Sequence, residues 1–361
     1  MAEGVLLLES GEVFKGTLLG ASNVVGEVVF NTSMTGYQEM VTDPSYSGQI
    51  LVFCYPLIGN YGMSARCSES TRPQVAGIAA GEICGLPSHH LAEASFLSEL
   101  TNAGIPCLVG VDTRALVKRI RSQGTVRGII TTEQRLQEMN SSSVFTVSEP
   151  NTVVARVTTP RVVTYENRGA HTAVIDYGCK RSIIDSLVSL GCRVTVVPYT
   201  FTYDQMRALN PDGVLLSNGP GDPLWLQDRL LDIRRIAEDF PTLGVCLGHQ
   251  LLGLAFGGSS RKLMFGHRGG NHPVRDTATG RVFMSAQNHG YVIESEGSGP
   301  MSISHVNVND GTIEGLRHQT LPVEGVQFHP EAHPGPDDSV YILQSFVQRL
   351  QRGGGVEHAA T

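Results

Sequence analysis

One ten-residue stretch, Pro-Thr-Leu-Gly-Val-Cys-Leu-Gly-His-Gln from Pro241 to Gln250, constrains this chain more than any other. Thr242 to Val245 reads as a short apolar strand, and the run from His249 to Phe256 opens a helix. Cys246 stands at the turn, with Gly244 and Gly248 two residues to either side. This is a G-x-nucleophile-x-G elbow with cysteine in place of serine. A sharp strand-to-helix turn presents its central side chain, and small neighbours let a substrate carbon approach the sulfur. The helix N-terminus adds a positive dipole end that favours thiolate. A lone cysteine is more often a buried packing residue. Here the flanking glycines and two further motifs weigh toward chemistry.

The segments around the elbow alternate strand and helix. Strands are predicted at Thr172–Asp176, Arg193–Pro198 and Gly213–Ser217. Helices are predicted at Lys180–Leu190, Tyr203–Leu209 and Leu224–Phe240. That order implies a mostly parallel sheet flanked by helices, with ligands bound beyond the carboxyl ends of its strands. Cys246 is at one such end. Ser217-Asn-Gly-Pro-Gly-Asp-Pro223 is at another, a tight loop whose backbone amides can face a developing oxyanion. In Val326-Gln-Phe-His-Pro-Glu331, an extended chain puts His329 and Glu331 on one side. The carboxylate can then hold one imidazole nitrogen while the other takes a proton from a thiol. His-x-Glu alone is a weak signal; with an elbow cysteine it becomes a strong one.

The N-terminal half reads differently. Val5 to Gly20 is predicted as a hairpin turning at Ser10-Gly11, with further strands at Val24–Phe30, Val75–Glu82 and Val126–Ile130. Asn31 to Glu39 and Thr42 to Tyr46 read as a polar loop, a surface turn or a ligand loop. Helices are predicted at Ala92–Ala103 and, capped by Asp112 and closed by Gly124, at Thr113–Arg121. The second carries Arg114, Lys118, Arg119 and Arg121, a solvated basic face or a docking patch for an acidic partner. Ser88-His-His90 is not expected to bind metal, because adjacent histidines point apart. The boundaries expected are 1–150 for this domain, a turn-rich linker at 151–170, the second domain at 171–351 and a flexible tail at 352–361.

A net charge of −7 argues against a general nucleic-acid or anionic-membrane surface. The N-terminus has no signal-peptide pattern, and no apolar run approaches a membrane span. Seven scattered cysteines without a C-x-x-C pair suit reduced thiols in a cytoplasm better than a disulfide framework or zinc site.

Gly-Val-Cys-Leu-Gly-His-Gln, Asn-Gly-Pro-Gly-Asp-Pro and Gln-Phe-His-Pro-Glu resemble the motifs of class I, triad-type glutamine amidotransferases. Gly266-His-Arg-Gly-Gly-Asn-His-Pro273, Ala286-Gln-Asn-His-Gly290 and Gly26-Glu-Val-Val-Phe-Asn-Thr-Ser-Met-Thr-Gly-Tyr-Gln-Glu39 narrow the resemblance. They are similar to those of the carbamoyl-phosphate synthetase small-chain family, and the likeness covers roughly residues 5–350. It implies a C-terminal class I glutaminase domain and a smaller, strand-rich α/β domain before it.

The resemblance also implies roles. Cys246 would attack the glutamine amide carbon, His329 would act as general base and acid, and Glu331 would orient it. The amides of Leu247 and Gly219 would form the oxyanion hole. Ser45, Gly219, Gly221, Leu247, Gln250, Asn288, Gly290 and Tyr291 would bind glutamine, and Ser45 would place the substrate at the domain interface. Position 291 is Tyr where the family often has Phe, a difference of little consequence if the backbone makes the contact. Gly178-Cys-Lys-Arg-Ser182 does not match a P-loop. The implied partner is a separate large chain that uses bicarbonate, ATP and the ammonia to make carbamoyl phosphate for pyrimidines and arginine. ATP and magnesium or another metal belong to that chain, with no cofactor or metal expected on this one. Two other readings are the glutaminase of another amidotransferase, such as anthranilate or GMP synthesis, and a catalytically silent regulatory or binding subunit. The N-terminal half opposes the first and the intact Cys246, His329 and Glu331 oppose the second.

Overall fold

Short apolar strands broken by glycine turns build the first half. β1 (Ala2–Leu8) and β2 (Val13–Leu19) form the expected hairpin, with Leu7 opposite Val13. β3 (Val24–Asn31), β4 (Gln49–Phe53), β6 (Gly77–Ala80), β8 (Cys107–Val109) and β9 (Val126–Thr132) follow, and β5 (Leu57–Ile58) pairs only with β7 (Glu82–Ile83). The larger set closes into a barrel in the order β1-β2-β8-β6-β4-β3-β9. β3, β4, β6 and β8 run parallel. β9 completes the ring by pairing antiparallel with both β1 and β3. Closure leaves no free edge in this ring. Val29, Leu51, Phe53 and Ile78 pack with Tyr37, Met40 and Phe96 from the helices outside. Their neighbours Val28, Ile50 and Val52 alternate to the other face and are equally buried.

The structure is a computed structural model that describes residues 2–21, 23–138, 145, 152–294 and 299–353. The chain divides into two units, Met1–Glu149 and Pro150–Thr361. The serines at 141–143, the Glu149-Pro150 pair and most of the expected tail, 354–361, lie outside the described residues.

Three expectations for the first unit change. Part of the predicted polar loop is a helix, Tyr37–Thr42, entered through Gly36 at φ 87° and buried along most of its length. The helix predicted from Ala92 starts at Phe96, because the Ser95 hydroxyl accepts the Ser98 amide and caps it there. The rings of His89 and His90 do not point apart; their centroids are 4.4 Å from each other. By contrast, the helix Thr113–Gln123 is capped by Asp112, which accepts the Ala115 amide, and ended by Gly124.

In the second unit the described residues form a ten-stranded sheet. Its strands are β10 (Val163–Tyr165), β11 (His171–Asp176), β12 (Arg193–Pro198), β13 (Gly213–Leu216), β14 (Thr242–Val245), β15 (Ser259–Asp276), β16 (Val282–Glu294), β17 (Met301–Asn307), β18 (Ile313–His318) and β19 (Val323–Val326). They are arranged β10-β12-β11-β13-β14-β19-β18-β17-β15-β16. The five strands from β12 to β19 are parallel, as the alternation of strands and helices predicts. Beyond β19 the sheet continues as an antiparallel arm that the alternation did not announce. Hydrophobic layers cover both faces of the parallel part, one around Ile175, Leu216 and Leu251, the other around Val174, Leu215, Leu243 and Phe346.

The stretch 151–170, expected as a linker, carries a helix, Thr152–Val157, and the edge strand β10, which pairs with β12. It is tied in by Thr158, whose hydroxyl donates to the Asp176 carbonyl at 2.6 Å. The long helix expected over Leu224–Phe240 is two pieces, Pro223–Arg229 and Leu230–Asp239. The first piece is itself kinked at Leu226, whose backbone leaves helical angles while its side chain is buried.

Candidate active site

The elbow forms where β14 ends. Cys246 sits at φ 53°, ψ −103°, a region that a side chain bearing a Cβ seldom occupies and that persists only where the surroundings enforce it. The enforcing bonds run both ways along the sheet. The Cys246 amide donates to the Val326 carbonyl of β19 at 2.9 Å, and the Gly248 amide donates to Ser217 beyond β13 at 3.0 Å. The helix Leu247–Ala255 starts immediately, almost wholly buried. The two glycines are also demanded by packing. A Cβ on Gly248 would lie 2.1 Å from the Leu216 carbonyl oxygen, and one on Gly244 would lie 2.6 Å from the Gly248 backbone.

His329 follows β19 and is anchored by its amide to the Ala286 carbonyl of β16 at 2.9 Å. Its Nδ1 lies 2.6 Å from Glu331 Oε1. With Nδ1 so engaged, Nε2 remains buried with no other partner, and the Cys246 sulfur adjoins it. Burial opposes a charged imidazole here. The Glu331 carboxylate and the nearby sulfur overcome it and raise the His329 pKa to about 10. Burial likewise opposes the Glu331 carboxylate, but Lys180 and His329 together hold its pKa down to about 2.

Lys180 is the residue the sequence did not single out. It caps the helix Arg181–Ser189 beyond β11, and its Nζ donates to Glu331 Oε1 at 2.9 Å and to the Ala332 carbonyl at 2.7 Å. Both charged side chains of this pair are removed from water. In sequence it reads as the start of a helix and as part of a stretch that does not match a phosphate loop. No local pattern could reveal a partner some 150 residues away in sequence.

The Ser217–Pro223 loop lies next to the elbow. Asn218 accepts the Lys180 amide at 3.1 Å, and the Ser217 hydroxyl accepts the Tyr177 amide at 3.0 Å. Gly219 is wedged so closely that a Cβ there would meet the Tyr177 carbonyl at 2.4 Å and the Leu247 side chain at 2.9 Å. The two residues expected to supply oxyanion amides, Gly219 and Leu247, are therefore neighbours. Gly221 adopts φ 97° against the Trp225 ring.

The antiparallel arm supplies the remaining wall. Pairing of β15 with β16 sets His267 opposite His289, Arg268 opposite Asn288 and Gly269 opposite Gln287, joining the two motifs that narrowed the resemblance. The Asn288 carbonyl lies 3.6 Å from Cys246 Sγ. Gln250, one helical turn after the elbow, donates through Nε2 to the Tyr291 carbonyl at 2.8 Å and to Gln327 Oε1 at 3.0 Å. Gly290 lies between Asn288 and Tyr291 on the same strand. Ser45 belongs to the first unit, in the turn Pro44–Tyr46, where its amide donates to Asp43 at 2.8 Å.

His267, His289 and Glu314 bring ligand-type atoms within 4.8 Å of one another and could hold a divalent ion. As folded, its charged groups face one another. His267 lies between Asp310 at 2.9 Å and Glu314 at 3.6 Å, and against the pull of burial these carboxylates raise its pKa. Both nitrogens of His289 are engaged, by the Tyr291 carbonyl and by Gln287 Oε1. This buried network braces the arm behind Asn288 and Tyr291.

The profile of class-I glutamine amidotransferases matches residues 173–349. That of the carbamoyl-phosphate synthase small chain, CPSase domain, matches residues 6–130. Among curated relatives, the arginine-specific small chain of carbamoyl phosphate synthase from Halalkalibacterium halodurans is 48% identical over 97% of each chain. The corresponding protein of Bacillus subtilis is 48% identical over 96% of this chain and 97% of its own. The small chain from Clostridium perfringens is 46% identical over 95% and 98%. Identity of this order over nearly the whole length, across both units, places the chain in the carbamoyl-phosphate synthase small-chain family.

Proposed function

We propose that this chain is the glutamine-hydrolysing subunit of a carbamoyl-phosphate synthase and that Cys246, His329 and Glu331 carry the reaction. The observation that carries the reading is the order Cys246–His329–Glu331, with a 2.6 Å His–Glu contact and the free imidazole nitrogen turned to the sulfur side. The Cys246 thiolate attacks the glutamine amide carbon. The amides of Leu247 and Gly219 receive the developing oxyanion. His329 gives its proton to the departing nitrogen, so ammonia leaves and a γ-glutamyl thioester remains. A water then loses a proton to His329 and adds to the thioester carbon. The C–S bond breaks with its electron pair on sulfur, and glutamate is released.

Gln250 has a defined part in binding. Both of its Nε2 protons are taken by Tyr291 and Gln327, so its Oε1 is the atom left to accept from the substrate's α-ammonium group. Asn288, Gly290 and Tyr291 flank it, and Gly221 shapes the loop opposite.

Ammonia released into water is protonated and ceases to be a nucleophile, so the product needs a consumer close by. A large chain that uses bicarbonate and ATP, with magnesium or another metal on that chain, fills this role; no cofactor is assigned here. The setting is cytoplasmic, with neither nucleic acid nor membrane as partner. No helix among the described residues is long and apolar enough to cross a membrane. The first unit offers Arg114 and Lys118 as candidate docking charges, whereas Arg119 on the same helix is paired with Glu12.

The test is glutaminase activity of the native chain and of Cys246→Ser, alone and with a large chain, ATP and bicarbonate. Weak turnover alone, strong stimulation in the complex and loss in the variant are expected. Turnover that no carbamoyl-phosphate synthase large chain stimulates would point to another synthase.

A further inference from the structure

The sulfur of Cys246 has a neighbour that none of the three motif roles uses. Gln327 is fully buried between β19 and His329, its amide bonded to the Glu314 carbonyl at 2.8 Å. Its side-chain Nε2 lies 3.7 Å from Cys246 Sγ. Which end of a carboxamide faces a neighbour must be argued from partners. Here the partners fix it. The Tyr291 carbonyl can only accept, so Gln250 must turn its Nε2 toward it. That same Nε2 reaches Gln327 at 3.0 Å, so Gln327 must present its oxygen to Gln250. The Gln327 N–H group is then left facing the sulfur.

The Asn288 carbonyl also stands 3.6 Å from the same sulfur. A carbonyl accepts from a thiol but repels a thiolate, and on its own it would hold the proton on sulfur. An N–H donor has the reverse preference, because a hydrogen bond to the charged form favours that form. We propose that Gln327 is a further catalytic residue, whose carboxamide N–H, aimed through Gln250 by the Tyr291 carbonyl, stabilises the Cys246 thiolate. This rests on the reading of Cys246 as the nucleophile. The donor acts twice: it favours the attacking thiolate, and it supports sulfur as the leaving group when the C–S bond of the thioester breaks and the electron pair returns to it. It also ties the sulfur to the wall that receives glutamine, since Gln250 and Tyr291 stand at the other end of the chain of bonds.

The test uses the full chain and iodoacetamide, following alkylation of the Cys246 peptide by mass spectrometry across pH. In Gln327→Leu the midpoint of alkylation should rise by about one pH unit, and the rate at neutral pH should fall roughly tenfold, as loss of one charge-assisted hydrogen bond implies. Gln327→Glu keeps the shape and the acceptor for Gln250 but turns an anionic oxygen to the sulfur. It should suppress alkylation further than Leu does, and it stands as the test if the Leu variant fails to fold. Midpoints unchanged from the native chain would overturn the proposal. The readout needs no glutamine turnover. A native chain that alkylates as expected but hydrolyses no glutamine with a large chain sinks the glutaminase reading alone. Intact glutaminase with unshifted midpoints sinks the role of Gln327 alone.

Discussion

Cys107 in the barrel and Cys246 at the end of the parallel sheet are both buried cysteines, and they differ in everything else. Cys107 lies within β8, enclosed by the apolar layer around Leu51, Ile78 and Phe96. Burial alone pushes its thiol up to about 12. Its sulfur donates to the Ile105 carbonyl at 3.5 Å. Cys246 is held at a positive φ where a strand gives way to a helix, with His329, Gln327 and the Asn288 carbonyl around the sulfur. Burial by itself makes a cysteine inert. What distinguishes the second site is its place at a strand end, where loops from β11, β13 and β19 converge and bring polar partners from distant parts of the chain.

The contrast should be sharpest in turnover. Cys246→Ala should lower glutamine hydrolysis in the complex by more than about 10⁴-fold, measured as ammonia or glutamate release. Activity retained in that variant would mean that another thiol does the work and would erase the comparison.

Glu331→Gln comes next, with a loss of roughly 10² to 10⁴-fold. The pH profile carries the sharper signal. Glu331 is the main group raising His329 to about 10 against burial. Without its charge the imidazolium is lost at lower pH, so the alkaline limb of kcat/KM should move toward neutrality. An unmoved limb would show that Glu331 does not set the charge of His329.

Lys180→Met should cost about 3–5 kcal/mol of stability by denaturant unfolding, because it leaves a buried carboxylate short of its charge partner. The folded Glu331 pKa lies near 2, below its ordinary 4.5. Its contribution is therefore fully present above about 4.5 and is lost as pH falls toward 2. Removing Lys180 raises that folded value, so acid unfolding should begin at higher pH than in the native chain. Equal acid midpoints would contradict the pairing seen here.

The smallest effect is expected at the other member of the comparison. Cys107→Ala should cost on the order of 1 kcal/mol of stability through a small lost volume in the core and leave glutamine turnover unchanged. A large loss of activity there would break the distinction between a packing thiol and a reacting one.

What could be read from sequence was what is local. The elbow, the His329-x-Glu331 pair, the hairpin at Val13 and the helix Thr113–Gln123 with its Asp112 cap all lie within spans of a few residues, where periodicity and capping rules act. The barrel could not be read, because its closure rests on β9 meeting β1 and on parallel pairing of β3 with β4 across intervening chain. Nor could the arm from β15 to β18 be read from strand–helix alternation, although its motifs stood out as resemblances. Lys180 and Gln327 were visible as letters without roles. Each gains meaning only from a neighbour far along the chain, Glu331 for one and Cys246 for the other. The elbow glycines are legible as a motif, but the packing need for them, set by Leu216 and by each other, is not.

The most direct test of the central claim is to quench the complex in acid during glutamine turnover and map the covalent adduct by mass spectrometry. The account predicts a γ-glutamyl group on the peptide carrying Cys246, absent from Cys246→Ser. An adduct on any other of the seven cysteines, or turnover that continues in Cys246→Ser, would contradict it.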